Sequence, residues 1–328
     1  MSLTEAKQVA EIIRTRMKYD VMGRDEVIEL ALISLFSGGH MLLEDYPGSG
    51  KTTLAKALGE SIDLGESSAQ RLIKAPFRRV QFTPDMLPSD ITGVMVFDGQ
   101  KNDFYFRPGP VFSFVLLVDE INRTSPKVQS AMLECMAEGQ VTVDNQTYSL
   151  DNLFFVIATQ NPLDSVGTYP LPVAQLDRFL FKVKMDHIDR QSELEVLNAW
   201  GIPRERQELE KVTRDQVVKA KATIRNDIFV HDAVKTCLVD FASTLRSDKR
   251  CLQGVSTRSL VQAIPALQAR AMLSGRDYVS AEDIQALASH IFSHRLTVIP
   301  GVKDVDTLVQ EALKVPLESL TKATTTTL

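Results

Sequence analysis

A glycine-rich run with a lysine and two threonines is the first stretch of the sequence that could do chemistry. It reads Glu-Asp-Tyr-Pro-Gly-Ser-Gly-Lys-Thr-Thr over residues 44–53, between the apolar segment 40–45 and a helical pattern. Glycines let backbone N–H groups turn toward an anion, and a helix N-terminus adds unpaired donors and a positive dipole end. The run therefore predicts a phosphate-binding loop.

Each residue type in this loop has a predicted role. Lys51 supplies a mobile charge for the β- and γ-phosphates of a nucleotide, and the Thr52 hydroxyl is a ligand for Mg²⁺. Asp45 stands where the usual pattern has its first glycine, before the turn itself, so we interpret it as a tolerated variant. The residues predicted to bind the nucleotide are Asp45, Tyr46, Pro47, Gly48, Ser49, Gly50, Lys51, Thr52 and Thr53.

A pair of carboxylates forms the second motif. The apolar segment Phe-Val-Leu-Leu-Val-Asp-Glu, residues 114–120, ends in Asp119 and Glu120. A parallel strand delivers such residues to the carboxyl edge of its sheet, where ligands bind. We expect Asp119 to hold Mg²⁺ through a water molecule and Glu120 to orient and polarise the water that attacks the γ-phosphate. The two motifs together favour a nucleotide site over a glycine-rich turn and an exposed acidic strand end.

The elements that must position these residues follow from the hydrophobic pattern. Short apolar segments bounded by turn residues are typical of strands buried on both faces of a parallel sheet. Helical patterns alternate with them, which predicts an α/β fold, a P-loop core with a parallel sheet. The predicted strands lie in segments 40–45, 78–83, 114–120, 153–161 and 178–185.

Two hairpins and a change of pattern complete the organisation. Residues 92–110 and 140–150 read as strand–turn–strand insertions, with turns at Asp98-Gly99 and Asp144-Asn145. After about residue 190 we expect the strands to stop and helices to follow. The predicted domains are therefore an α/β core, residues 1–190, and an all-helical lid, residues 191–328, with a hinge near Gly201-Ile202-Pro203 and a frayed C-terminal tail.

Composition narrows the class of protein. The net charge is −5, which disfavours duplex binding, and no uninterrupted apolar run is long enough to span a membrane. The N-terminus carries charges throughout and does not resemble a signal peptide. The 3 cysteines are far apart and fit neither a disulfide framework nor a zinc site. We expect a cytoplasmic protein with no nucleic-acid partner.

Several longer motifs together resemble the MoxR family of AAA+ ATPases. The resemblance runs from about Val21 to Arg295, nearly the whole chain. That family commonly has Glu-Asp-x-Pro-Gly-x-Gly-Lys-Thr in its phosphate loop, so Asp45 resembles a family trait. The motifs that carry the resemblance are QFTPDMLPSDITGV, FRPGPVF, DEINRTSPKVQSAMLECMAEGQVTV, ATQNP and GTYPLPVAQLDRFLF.

This resemblance implies an ATPase core with a helix-2 hairpin insertion, a helical lid and a ring, usually a hexamer. It implies that Asn161 is a sensor that holds the attacking water or the γ-phosphate. It also implies that Arg178 is an arginine finger that reaches the ATP of a neighbouring copy, and that Arg258 is a second sensor, acting either in its own copy or in the next. Arg123 would contact the adjacent copy.

The resemblance further implies ATP and Mg²⁺ as cofactors and a client protein as the object of the work. Members commonly act as chaperones together with partner proteins that carry von Willebrand factor A domains, and this chain shows no such domain itself. One departure is Val173, where the family often has Glu. An ionic contact between copies near Arg178 is therefore in doubt.

Other readings of the same motifs stay open at this stage. A slowly hydrolysing nucleotide-dependent switch would use the same two motifs, and turnover with and without partners would separate it from a motor. A small-molecule kinase is less favoured, because a water-activating Glu beside the Mg²⁺ ligand would waste ATP. His290 and His294 are four residues apart on a predicted helix, but without a third ligand nearby we expect a structural role.

Overall fold

The computed structural model of the chain describes residues 1–45, 48–65, 72–73, 75–161, 167–199 and 209–325. Its central strands are β1 (Met41–Asp45), β3 (Ala75–Gln81), β6 (Ser113–Asp119), β9 (Phe155–Gln160) and β10 (Phe181–Met185). They form one parallel sheet of 5 strands in the order β10-β1-β9-β6-β3. All the apolar segments predicted as strands lie in this sheet, so the predicted α/β fold class is confirmed.

The register of the sheet explains why these segments are apolar throughout. Strand β1 lies between β9 and β10, so that Met41 is opposite both Ile157 and Phe181. Strand β6 is buried along its whole length. Because β1, β6 and β9 run parallel, the residues that follow them meet at one edge of the sheet.

Helices cover both faces of the sheet. Glycines in the left-handed conformation end two of them, Gly38 with φ 78° and Gly139 with φ 62°. These helices are α1 (Leu3–Asp20), α2 (Asp25–Ser37), α3 (Lys51–Glu60), α4 (Pro88–Thr92), α5 (Pro126–Glu138) and α6 (Val173–Leu176).

Successive residues of β1 belong to different hydrophobic clusters. Met41 and Leu43 pack with the residues of α1, α2 and α3, whereas Leu42 packs on the opposite face with the residues of α5. Burial of one such side chain contributes about 1.5–3 kcal/mol to the free energy of unfolding. The sheet is therefore held from both sides, which fixes its carboxyl edge.

Both predicted hairpins are present. The first consists of β4 (Gly93–Asp98) and β5 (Asp103–Pro108), and the second of β7 (Gln140–Val143) and β8 (Gln146–Ser149). The second turns at Asp144-Asn145, where both residues have positive φ. The Phe106 and Tyr148 rings stack with centroids 4.0 Å apart, so the two hairpins pack against each other.

The second half of the chain is mainly helical. Its helices are α7 (Arg190–Asn198), α8 (Arg214–Asp227), α9 (Asp232–Ser247), α10 (Thr257–Leu273), α11 (Ala281–Phe292) and α12 (Val305–Thr325). The expectation that strands stop after residue 190 was wrong in one respect. Strand β11 (Val212–Thr213) pairs with β2 (Ile62–Asp63), and β12 (Cys251–Gln253) pairs with β13 (Thr297–Val298). Strands of two or three residues are too short to show an alternating pattern.

One hydrophobic cluster extends across the predicted domain boundary. It includes Ile13 of α1 and Ile28 of α2 together with Val217 of α8 and Leu267 of α10. The boundary at residue 190 stays a prediction, and the predicted hinge lies outside the described residues. Within the described part of the chain, no helix combines the length and the apolar character needed to cross a bilayer.

Candidate functional site

The predicted phosphate loop lies between β1 and α3. Gly48 and Gly50 have φ of 91° and 92°, a backbone conformation that L side chains rarely adopt. Lys51 is the first residue of α3 and Thr52 the second, so both stand at a helix N-terminus, where backbone N–H groups are unpaired. These positions fit an anion-binding loop.

The start of the predicted phosphate loop is only partly described. Tyr46 and Pro47 lie outside the described residues. The backbone of Asp45 ends strand β1, paired with Met185 of β10, as expected of a residue that precedes the turn. The predicted contacts of these three residues with a nucleotide stay predictions.

Asp119 lies at the end of β6 and is 5% exposed. Its Oδ1 accepts a hydrogen bond from the Thr159 hydroxyl at 3.3 Å, and its Oδ2 accepts one from Arg79 Nε at 2.6 Å. The two donors come from the strands on either side, since β6 lies between β3 and β9. The neighbouring strands therefore fix the carboxylate at the sheet edge.

Glu120 has an unusual backbone conformation for a residue with a side chain. Its φ of 56° and ψ of 53° lie in the left-handed region, and its N–H donates to the Thr159 hydroxyl at 2.9 Å. The carboxylate accepts from Gln81 Nε2 at 2.6 Å and pairs with Arg123 Nε at 3.2 Å. A strained residue held by several partners is typical of a functional position.

The two motifs line one cleft of about 300 Å³ at the carboxyl edge of the sheet. Asn161 also lines it, directly after the end of β9. The structure thus brings together most of the site that the sequence predicted. The predicted residues that share this cleft are Gly48, Ser49, Gly50, Lys51, Thr52, Asp119, Glu120 and Asn161.

A second cavity of about 600 Å³ adjoins the same loop, because Gly48, Ser49 and Gly50 line both cavities. Thr53 lines this second cavity. Its remaining lining comes from the end of α1, the segment after β10 and α7, with apolar members Val21, Met22, Ile188, Val196 and Leu197. Sequence reasoning missed this cavity, because no local motif joins segments that lie so far apart along the chain.

The oxygen donors at the edge fit the magnesium ion predicted there. Thr52 and Asp119 both line the cleft, and hydroxyl, carboxylate and water oxygens are the ligands that Mg²⁺ prefers. Among the described residues, no group of three or more His, Cys, Asp or Glu side chains is arranged to hold a metal ion. Thr52 and Asp119 therefore fit an ion that takes its other ligands from water and phosphate.

Arg178 and Arg258 lie apart from the cleft. Neither is among the described residues that line the two cavities. Arg178 follows α6, and its Nη1 donates to the Leu133 carbonyl at 3.3 Å. Arg258 is exposed at the start of α10, and its neighbour Ser259 donates to Asp177 at 3.0 Å. Arg178 and Arg258 are thus each adjacent in sequence to one member of a hydrogen-bonded pair, Asp177 and Ser259.

Four polar residues of the cleft were missed by sequence reasoning, namely Arg79, Gln81, Thr159 and Gln160. Arg79 and Gln81 alternate along β3, and Thr159 lies near the end of β9. The only signal was their place in the predicted strand segments 78–83 and 153–161. Their importance depends on the strand order, which puts β6 between β3 and β9.

His40 links β9 and α5 to the loop that carries Arg178. Its Nδ1 accepts from the Val156 N–H, its Nε2 donates to the Met136 carbonyl, and its backbone oxygen accepts from Leu180 at 2.7 Å. Burial lowers the pKa of His40 to about 4, so the ring is neutral at neutral pH. Leu180 belongs to the loop that carries Arg178.

Comparison with known proteins gives consistent results. A family model described as the ATPase family associated with various cellular activities (AAA) matches residues 40–181, and an AAA lid domain model matches residues 244–312. Uncharacterized protein YeaC of Bacillus subtilis is 42% identical, covering 91% of this chain and 92% of its own. Chaperone MoxR1 of Mycobacterium tuberculosis is 34% identical, covering 86% of this chain and 74% of its own.

A solved structure is also similar. The crystal structure of a candidate ATPase from Cytophaga hutchinsonii matches with a TM-score of 0.85 and 34% sequence identity. The match covers 95% of each chain, so the similarity includes both the sheet and the helical half.

Proposed function

The chain belongs to the MoxR family of AAA+ ATPases, and from this premise we propose that it hydrolyses ATP at an interface between two of its copies. The observation that carries the proposal is the division of the predicted residues. The phosphate loop, Asp119 and Glu120 share one cleft, whereas Arg178 and Arg258 lie elsewhere on the chain.

In this proposal the two adjoining cavities receive one ATP molecule. The phosphates lie against Gly48, Gly50 and Lys51, where backbone donors and the lysine charge neutralise them. The base and sugar occupy the larger cavity, whose apolar lining suits a flat aromatic ring. Mg²⁺ held by Thr52 and Asp119 would neutralise charge on the phosphate oxygens.

Glu120 is the proposed general base. It aims a water molecule at the γ-phosphorus and accepts its proton, a role worth roughly 10²–10⁴ in rate. Gln81 and Arg123 orient the carboxylate before the substrate arrives. Asn161, on the neighbouring strand end, holds the water or the γ-phosphate.

Arg178 and Arg258 are proposed to act on the nucleotide of the adjacent copy. Because Ser259 bonds Asp177, the two arginines are presented together, and we assign both to action in trans. An arginine finger is worth roughly 10³–10⁵ in rate, or about 4–7 kcal/mol of barrier. Turnover would therefore require assembly.

We propose that ATP hydrolysis, coupled to assembly, drives the remodelling of another protein. We propose a ring, of six copies as is usual in the family, that remodels a client protein in the cytoplasm together with a partner carrying a von Willebrand factor A domain. The name of the chaperone relative supports the chaperone role. The Asp45–Thr53 loop and the division of the chain at residue 190 into core and lid belong to the same proposal.

Mixed assemblies test the central claim. Arg178→Ala copies keep the cleft and lack the finger, whereas Lys51→Ala copies keep the finger and lack the cleft. At an ATP concentration near the wild-type Kd, each variant alone should release little phosphate, and mixtures should recover a measurable fraction of wild-type phosphate release. Arg225→Ala, a substitution of an exposed arginine in α8, is the matched control. Absence of recovery at every mixing ratio, with assembly verified by light scattering, would contradict action in trans.

A further inference from the structure

The loop that carries Arg178 is fastened to the helical half of the chain by one buried side chain. Arg295 follows α11 in a short 3-10 turn, and its side chain is 2% exposed. Its Nε donates to Asp177 Oδ1 at 2.8 Å, and its Nη2 donates to the Phe179 carbonyl at 2.8 Å. Arg295 thus holds both neighbours of Arg178 in the sequence.

The remaining donors of Arg295 are also used. Nη2 donates to Gln262 Oε1 at 2.8 Å, and Nη1 donates to the Ile291 carbonyl. Gln262 and Ile291 belong to α10 and α11, so the guanidinium is fixed from the helical side. Burial lowers the pKa of Arg295 to about 10, which leaves it charged at neutral pH.

Two further bonds join the same loop to the helical half. The His294 Nε2 bonds the Phe179 carbonyl at 3.1 Å, and burial lowers the pKa of His294 well below its ordinary value, so the neutral ring donates. The Ser259 hydroxyl donates to Asp177 Oδ1 at 3.0 Å. The loop cannot change its orientation without breaking several bonds to α10 and the turn after α11.

The Arg295–Asp177 pair, with side chains 2% and 22% exposed, is weak evidence for stability, because desolvation of the buried guanidinium offsets much of the attraction. Such a pair is better suited to fixing one arrangement. Here the arrangement that is fixed is the backbone on both sides of Arg178. A displacement of 1 Å at a reacting group can cost roughly 10²-fold in rate.

We propose that Arg295 is a positioning residue that holds the Arg178 loop in the orientation needed to act on the nucleotide of the adjacent copy. The inference rests on the proposed function in trans. It adds that the helical half of one copy, through Arg295 and Asp177, controls turnover in the cleft of the next copy. Arg295 itself touches no substrate.

The test uses Arg295→Met in the full chain. We expect kcat to fall about 10- to 100-fold, while the Kd for ATP in the variant's own cleft stays within about twofold of wild type. Arg295→Lys keeps the charge but reaches fewer acceptors, so it should recover part of kcat. Arg276→Met is the matched control, because Arg276 pairs with buried Asp283 in the same helical half, away from the Arg178 loop.

Mixing distinguishes action on the neighbour from action on the variant's own cleft. Arg295→Met copies mixed with Lys51→Ala copies should recover activity, because the second supply a correctly held finger. Arg295→Met mixed with Arg178→Ala should recover none, since neither copy supplies a working finger. Recovery in that second mixture, or a wild-type kcat for Arg295→Met, would overturn the inference.

Turnover of two variants distinguishes failure of the proposed function from failure of this inference. If Arg178→Ala alone keeps wild-type turnover, the proposed function fails; if only the Arg295 variant does, this inference fails alone. Should Arg295→Met not fold, Ser259→Ala with Gln262→Leu loosens the same network without leaving a buried charge. That double variant must also lower kcat at unchanged Kd, and a wild-type kcat there would overturn the inference.

Discussion

The cleft at the sheet edge and the face that carries Arg178 differ in how they are built. The cleft includes strand ends whose backbones are fixed by pairing, as with Asp119 opposite Gln81 of β3, and Arg79 and Thr159 further hold the Asp119 carboxylate. The Arg178 face is a loop whose position depends on side-chain bonds to a distant turn. The strand-end carboxylates therefore depend on the sheet for their position, whereas Arg178 depends also on the helical half of the chain.

This difference indicates which part of a site shared between two copies can be regulated. A residue on a strand end of a sheet covered on both faces cannot move without loss of core packing. The Arg178 loop has Phe179 and Leu180 buried beside it, but it also depends on side-chain bonds to α10 and the turn after α11, so a change in the helical half can reach it. Control of turnover is therefore expected on the arginine side.

Among substitutions of Glu120, Lys51 and His40, the largest effect is expected for Glu120 in the cleft. Glu120→Gln removes the proposed base and should lower kcat roughly 10²–10⁴-fold, while ATP binding is retained. Phosphate release and a nucleotide titration measure the two quantities separately. Glu138→Gln, at an exposed position at the end of α5, is the control. Unimpaired hydrolysis by Glu120→Gln would remove the residue from this role and break the contrast between the two regions.

A smaller effect is expected for Lys51→Ala, which should weaken ATP binding itself. Loss of a hydrogen bond to a charged group costs about 1.5–3 kcal/mol, or roughly 10- to 150-fold in Kd. Lys56→Ala, in the same helix and exposed, serves as the control. Isothermal titration with ATP distinguishes the two variants. A wild-type Kd for Lys51→Ala would argue against the phosphate loop.

The residues that belong to local motifs could be predicted from the sequence. Lys51, Thr52, Asp119 and Glu120 belong to local motifs, and the strands that position them have continuous apolar runs. Gln81 contributes only because β3 lies beside β6, and strand order is not written in a local pattern. The side-chain bonds that hold the Arg178 loop are even harder to predict from the sequence.

Asp177 and Arg295 illustrate the reason. They are 118 residues apart in the sequence, and a lone arginine in a helical pattern is ordinarily read as solvated. Their contact depends on how α10 and α11 pack against the sheet, which periodicity does not specify. The second cavity escaped prediction for the same reason, since its apolar lining comes from three separate segments.

The smallest effect is expected at buried His40, which hydrogen-bonds β9, α5 and the loop that carries Arg178. Its pKa is about 4 in the folded state against an ordinary 6.5, so the unfolded state takes up the proton first as the pH falls. Its contribution to stability is complete above about pH 6.5 and is lost toward pH 4. Wild type should lose about 1 kcal/mol of unfolding free energy between pH 7.5 and 5.5 from this group.

The His40→Gln variant provides the reference for that measurement. Glutamine has a donor and an acceptor for the Met136 and Val156 groups and does not titrate. Urea unfolding followed by circular dichroism at both pH values gives the difference. Parallel pH dependences of wild type and variant would show that the ring is not held neutral.

The hydrophobic cluster shared by α1, α2, α8 and α10 has a mechanical consequence. Because one hydrophobic core continues from one half of the chain to the other, we expect the two halves to resist bending relative to each other. Strain produced when a nucleotide is cleaved would then be carried across the chain instead of being absorbed within it. Any resulting displacement should then appear at the contacts between neighbouring copies.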